Sequence, residues 1–289
     1  MSAAPSARFE QPLSLAEATR LMAQGACTPL AGGTDLYAAH VGRPITGPLI
    51  DLTRISGLRG IRRDEQGWWF GATTTWSDVL AADLPRAFDA LKQAAREVGG
   101  EQIQNTGTLG GNLCNASPAA DGTPVWLALD ASVLLQSSRG ERRLPVADFL
   151  LANRQTARAT DELLTGVFVP QRPAHARSVF TKLGSRRYLV ISITMVALVV
   201  DVTADDRVGW LGVAVGSCSA IAQRLAGLEA RLIGTPRAEL AHVQVTPADL
   251  APLNPIDDVR ASAVYRLDAT QTLLRRAFVE LAGLPERVA

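Results

Sequence analysis

Two stretches of the sequence are dense in glycine and small polar residues: LAGGTD, Leu30–Asp35, and NTGTLGGN, Asn105–Asn112. Glycine at this density marks backbone that turns tightly or lets another group come close. Successive N–H groups in such turns form an anion-binding concavity, and a following helix N-terminus adds positive potential. Thr34, Asn105, Thr108 and Asn112 add side-chain donors, so a pyrophosphate could be held by dipoles with no arginine. Each hydrogen bond to a charged oxygen contributes roughly 1.5–3 kcal/mol. About four of them, not strictly additive, would supply much of the roughly 8 kcal/mol of micromolar affinity. Either stretch alone reads equally well as a tight turn in an α/β core. Two of them, one lying between a strand and a helix, favour the phosphate reading.

Two single residues stand beside these stretches. Asp121 ends the uncharged run and is placed either to cap the helix beginning at GTPVW or to accept hydrogen bonds from ribityl or ribose hydroxyls. Lys182, in VFTKLGSRRY, is one of only two lysines in a chain whose other cations are arginines. It reads as a solvated strand end or as a placed cation. Cys114 reads as a small buried residue, and Trp68, Trp69 and Trp126 as core.

Other chemistries lack their residues. The chain has no G-x-x-x-x-G-K-[ST], no G-x-G-x-x-G after a strand, no H-E-x-x-H, no C-x-x-C and no G-x-S-x-G. His40, His175 and His242 are far apart, so no metal site is expected in this chain. No acid–base pair or nucleophile is evident, and no catalytic side chain is assigned. Lys plus Arg is 29 against 28 for Asp plus Glu, with no dense basic run, so no nucleic-acid partner is expected. The longest apolar segment, Tyr188–Val202, is shorter than the roughly 20 residues of a membrane span and reads as a buried strand. Three scattered cysteines and a start without a signal pattern suit a cytoplasmic chain.

The elements that must position the glycine stretches are legible in part. Ser14 and Glu17 form an S-x-x-E start for a first helix that stops near Gly25. CTPLA is a strand running into GGTD, Thr34 or Asp35 caps a second helix, and PLIDL is the next strand. LRGIRRDEQGWWFGA reads as a hairpin, LPRAFDALKQAAREVG and TPVWLALDA as helices, and SVLLQSS with ERRLPVADF as a second pair of strands. VPQRPAHARS, Val169–Ser178, marks a domain boundary; strands and a long terminal helix near SAVYRLDATQTLLRRAFVELAGL follow it.

PLAGGTDLYAAH, IQNTGTLGGNLCNASPAADGTP, VFTKLGSRRY and AVYRLDATQTLLRRAF occur in this order along nearly the whole chain. In these motifs it resembles the FAD-binding (medium) subunits of the molybdenum hydroxylases, the xanthine dehydrogenase and carbon monoxide dehydrogenase group. The resemblance implies an α+β fold. Two α/β subdomains of the vanillyl-alcohol-oxidase-like, PCMH-type FAD-binding fold would span about 1–57 and 58–172. A C-terminal lobe, 178–286, would carry a three-stranded sheet and helices. It further implies that Ala31, Gly32, Gly33, Thr34, Asp35 and Leu36 cradle the FAD pyrophosphate. Asn105, Thr108, Gly110, Gly111 and Asn112 would contact pyrophosphate and ribityl. Asp121 would meet FAD hydroxyls, Leu164 the isoalloxazine, and Lys182 the polar edge of the flavin ring. The sequence departs from the family pattern at Gln104, where an arginine is common, and at GSCSAIA, Gly216–Ala222, where a proline-containing turn is usual.

By the same resemblance the chain is an electron-transfer component. A molybdenum-binding large subunit with molybdopterin and a [2Fe–2S] small subunit would be its partners, in a heterotrimer or a dimer of heterotrimers. NAD⁺, O₂ or another acceptor would take the electrons. The rival readings are a stand-alone MurB-like FAD reductase and a cofactor-free scaffold. Replacing Gly33 or Gly111 with a bulky residue is expected to abolish flavin retention.

Overall fold

The computed structural model describes residues 8–25, 27–173, 175–186 and 189–283. Three short parallel strands, β1 (Phe9–Glu10), β2 (Thr28–Leu30) and β3 (Leu49–Asp51), form the first sheet in the order β1-β3-β2. Parallel neighbours need long connections, and helices α1 (Leu15–Ala23) and α2 (Thr34–Ala39) lie in them. Ser14 caps α1, its hydroxyl accepting from the Glu17 N–H at 3.2 Å. The Glu17 carboxylate closes back on the N–H of Leu13, one residue earlier than the capping pattern predicts. Ala18, Leu21 and Met22 of α1 pack with Ile50, Leu52 and Ile55 in a small core.

The second sheet is antiparallel, in the order β4 (Ile61–Arg63), β5 (Gly67–Gly71), β10 (Leu163–Pro170), β6 (Ser132–Ser137), β7 (Gly140–Pro145). Between β5 and β6 the chain builds a helical layer: α3 (Trp76–Ala81), a 3₁₀ turn at Arg86–Phe88, α4 (Asp89–Glu97), α5 (Glu101–Thr106), α6 (Leu109–Asn115) and α7 (Gly122–Ala128). Phe70, Val133, Leu135 and Val167 of the sheet share a core with Trp76, Leu91, Leu113 and Trp126 of the helices. Trp68 and Trp69 are only partly buried; Trp69 meets Phe168 edge to face and donates from Nε1 to Asp64. After β7 come α8 (Val146–Phe149) and a hairpin of β8 (Leu150–Ala152) and β9 (Gln155–Thr156).

The third sheet has three long antiparallel strands, β11 (Arg177–Leu183), β12 (Thr194–Val202) and β13 (Val208–Gly216), with the two-residue β14 (Gln223–Arg224) at its edge. Alternation along β12 explains its unbroken apolar run. Val196, Leu198 and Val200 face a core with Leu228 of α9 (Ala226–Leu232) and Leu274 and Phe278 of α10 (Ala263–Leu281). Met195, Ala197 and Val199 face the core beneath the second sheet. A strand covered on both faces needs apolar residues at every position. The run enters the sheet later than its hydropathy suggests. Leu189 has a left-handed φ of 52°, its carbonyl takes the Arg186 guanidinium, and pairing with β11 begins only at Thr194 opposite Leu183. Leu189 and Ile191 stay 55% and 51% exposed; Tyr188 lies outside the described residues.

Candidate cofactor site

A cavity of about 480 Å³ opens where the first and second sheets meet, between the β2–α2 turn, the α5–α6 junction, the β8–β9 hairpin and Leu164 of β10. It is lined by Ala31, Gly32, Gly33, Thr34, Asp35 and Leu36 from the first glycine stretch, and by Thr108, Gly110, Gly111 and Asn112 from the second. Eleven of the residues singled out in sequence, counting Leu164, therefore face one space.

The first stretch turns sharply. Gly33, not Thr34 or Asp35, is the N-cap of α2; it has φ 69° and offers no side-chain cap. The N–H groups of Gly32, Gly33, Thr34, Asp35 and Leu36 have no acceptor among the described residues, and the α2 ladder begins with Tyr37 N–H to Gly33 O at 2.9 Å. An Asp or Ser cap would have satisfied one or two of these donors; a glycine leaves them to a ligand. Gly32 also sets the spacing of the two stretches, because a Cβ there would lie 1.9 Å from the Thr106 carbonyl oxygen at the end of α5.

The second stretch is helical where glycine density suggests a loop. Thr108 caps α6, its hydroxyl accepting from Gly111 N–H at 3.1 Å. Leu109 N–H donates to Thr74 O, Gly110 N–H to Ala72 O and Asn112 N–H to Thr108 O, at 2.9, 2.9 and 3.0 Å. Its backbone donors are thus already bonded. What it offers is a floor without side chains. A Cβ on Gly111 would meet only the Thr108 hydroxyl oxygen, at 2.9 Å, and would otherwise enter open space. Two polar atoms at this floor, Asn112 Oδ1 and Thr73 Oγ1, are buried with no partner among the described residues. Orphaned buried polar atoms beside a bare glycine surface fit a bound polar cofactor.

Three of the residues singled out lie elsewhere. Asn105 Oδ1 accepts from Ser77 Oγ at 2.5 Å on an exposed face of α5. Asp121 stands at the N-terminus of α7 without capping it. Its carboxylate instead accepts from Ser192 Oγ at 2.7 Å and Lys182 Nζ at 3.0 Å. Burial pushes the Asp121 carboxyl above its ordinary pKa, against the pull of the Lys182 ammonium. Lys182 is no solvated strand end: its side chain is 5% exposed and also donates to the carbonyls of Glu97 and Val190. It lines a separate cavity of about 580 Å³ with Arg96, Phe180 and Leu183.

The cavity also holds residues that no sequence motif marked, Arg154, Thr156 and Arg158 around β9 and Trp76 on α3, together with Cys114 of the second motif. Burial pushes the Cys114 thiol up to about 11, so it stays a neutral wall. The hairpin contributing the arginines, LLANRQTARAT, carries no recognisable pattern; only its packing beside α6 brings it to the cavity.

Residues 5–172 match the family of FAD binding domains in molybdopterin dehydrogenase, and residues 180–281 match the CO dehydrogenase flavoprotein C-terminal domain. The chain belongs to the FAD-binding medium subunits of the molybdenum hydroxylases. The subunit is 31% identical to the nicotinate dehydrogenase FAD-subunit of Eubacterium barkeri, over 94% of this chain and 95% of that one. It is 32% identical to the nicotine 6-hydroxylase medium subunit of Paenarthrobacter nicotinovorans, over 96% and 97%. Among solved structures, a chain of the carbon monoxide dehydrogenase from Hydrogenophaga pseudoflava superimposes with a TM-score of 0.83 at 25% identity, covering 98% of this chain and 99% of that one. The fold is therefore the PCMH-type FAD-binding fold with its C-terminal lobe, FAD is the cofactor, and the subunit is an oxidoreductase component. Among the described residues no helix is long and apolar enough to cross a membrane.

Proposed function

We propose that this subunit carries electrons from a [2Fe–2S] partner chain to an external acceptor such as NAD⁺ or O₂, while a molybdenum-binding large subunit with molybdopterin oxidises the substrate. In this reading it works within a heterotrimer, or a pair of them, in the cytoplasm. The FAD-binding unit spans 1–172 and the C-terminal domain 178–286. Bound FAD supplies the redox chemistry, and the chain's residues bind and orient it. The N–H groups of Gly32–Leu36 hold the pyrophosphate. Thr108, Gly110, Gly111 and Asn112 form the floor on which it lies, and Leu164 bounds the isoalloxazine. Asn105 adds a donor beside the second stretch, Asp121 meets FAD hydroxyls and Lys182 the polar edge of the flavin ring, the last two held to each other by their ion pair.

The observation that carries this reading is the row of five unbonded N–H groups facing the same cavity as the glycine floor. The test is the visible spectrum of the chain purified alone, with the released chromophore identified. FAD near one per chain is expected. A colourless, folded chain that also takes up no added FAD would overturn the reading and leave a scaffold. Turnover of a UDP-sugar with NAD(P)H by the isolated chain would instead support a stand-alone reductase.

A further inference from the structure

Of the described residues lining the cavity, only Arg154 and Arg158 are cationic and only Asp35, an exposed residue, is anionic. Neither arginine has a carboxylate partner among the described residues. Arg154 sits in the β8–β9 turn with φ 58°, a left-handed conformation that costs an arginine free energy unless its surroundings impose it. They do so here: its N–H donates to Ala116 O at 2.9 Å and its guanidinium to Asn115 Oδ1. Arg158 lies two residues past β9. One nitrogen, Nη1, donates to the carbonyls of Ala159 and Glu162, at 3.2 and 2.5 Å, leaving Nε and Nη2 without acceptors among the described residues. Its charge is felt inside the cavity, where it opposes the upward shift that burial imposes on the Cys114 thiol.

A tethered guanidinium with free donors, at a cavity whose other lining groups apart from the exposed Asp35 are uncharged, is arranged to meet an anion. We propose that Arg154 and Arg158 pair with the pyrophosphate of bound FAD, adding ionic contacts to the N–H groups of the 32–36 turn. The proposal rests on the cofactor reading above. The pyrophosphate is the anionic part of FAD; the flavin and adenine rings are uncharged. The sequence contains neither residue in a glycine motif, so the assignment comes from the hairpin's position alone.

The test uses the full chain stripped of cofactor, with Arg158→Gln, Arg154→Gln and Arg158→Lys variants. Dissociation constants for FAD and for riboflavin, which has no phosphate, are read by fluorescence at low and high salt. Each Gln variant is expected to weaken FAD binding by about tenfold to a hundredfold. Riboflavin affinity should stay at the wild-type value, the salt dependence of FAD binding should shrink, and Arg158→Lys should recover part of the loss. Equal weakening of FAD and riboflavin would overturn the proposal by placing the arginines against the ring or in the scaffold. Unchanged FAD affinity in both Gln variants would overturn it too, leaving the arginines solvated. A wild-type chain that binds no flavin would sink the cofactor reading itself, and this assignment with it.

Discussion

At the Gly32–Leu36 turn five successive N–H groups find no acceptor among the described residues. At Leu109–Asn112 every N–H is bonded, to Thr74 O, Ala72 O, the Thr108 hydroxyl and Thr108 O. Both stretches are rich in glycine and both line one cavity. Glycine serves opposite needs in them. In the first it permits a left-handed N-cap that leaves donors free for an anion. In the second it removes side chains from a helix face, so that a cofactor can lie against backbone that needs no further bonds. One segment supplies polarity and the other supplies room.

Gly111→Leu breaks this comparison most severely. Its side chain would enter the cavity while meeting little of the protein, so the fold should survive and the cofactor should not. We expect FAD affinity to fall by more than about a hundredfold, the overpacking cost falling on the ligand, while the cofactor-free chain loses at most the Thr108 cap, about 1 kcal/mol. A variant that keeps wild-type FAD content would show that the glycine floor is not a contact surface. Gly111 is a cleaner probe than Gly33, where left-handed backbone and the Tyr37 ring would confound loss of binding with strain.

Gly32→Ala sharpens the comparison from the other side and should have a smaller effect, one that already shows in the cofactor-free chain. The added methyl would collide with the Thr106 carbonyl, a backbone atom that cannot swing away. Thermal unfolding of the cofactor-free chain should show a loss of about 1–3 kcal/mol. No loss would mean that the close approach of the two stretches is not fixed by Gly32.

Much of the scaffold was legible because its signals are local. The S-x-x-E start at Ser14, the hairpin turn at DEQG and the doubly covered strand β12 each depend on neighbours in sequence or on unbroken hydropathy. The motifs around Gly33 and Gly111 located the cavity for the same reason. What stayed hidden depends on distant backbone. That α6 has no free N–H groups follows from the carbonyls of Ala72 and Thr74, some 35 residues away in sequence. Arg154 and Arg158 reach the cavity only because their hairpin packs beside α6, and Asp121 meets Lys182 only once β11 docks on the helical layer. No spacing rule within one segment encodes such meetings.

The most direct test of the contrast between the two stretches is backbone hydrogen exchange, read by mass spectrometry with and without FAD. In the cofactor-free chain the amides of 32–36 should exchange rapidly and those of 109–112 slowly, since only the latter are bonded. Adding FAD should slow exchange at 32–36 and change 109–112 little. Equal protection of both stretches before FAD is added, or slowing confined to 109–112 afterwards, would contradict the account.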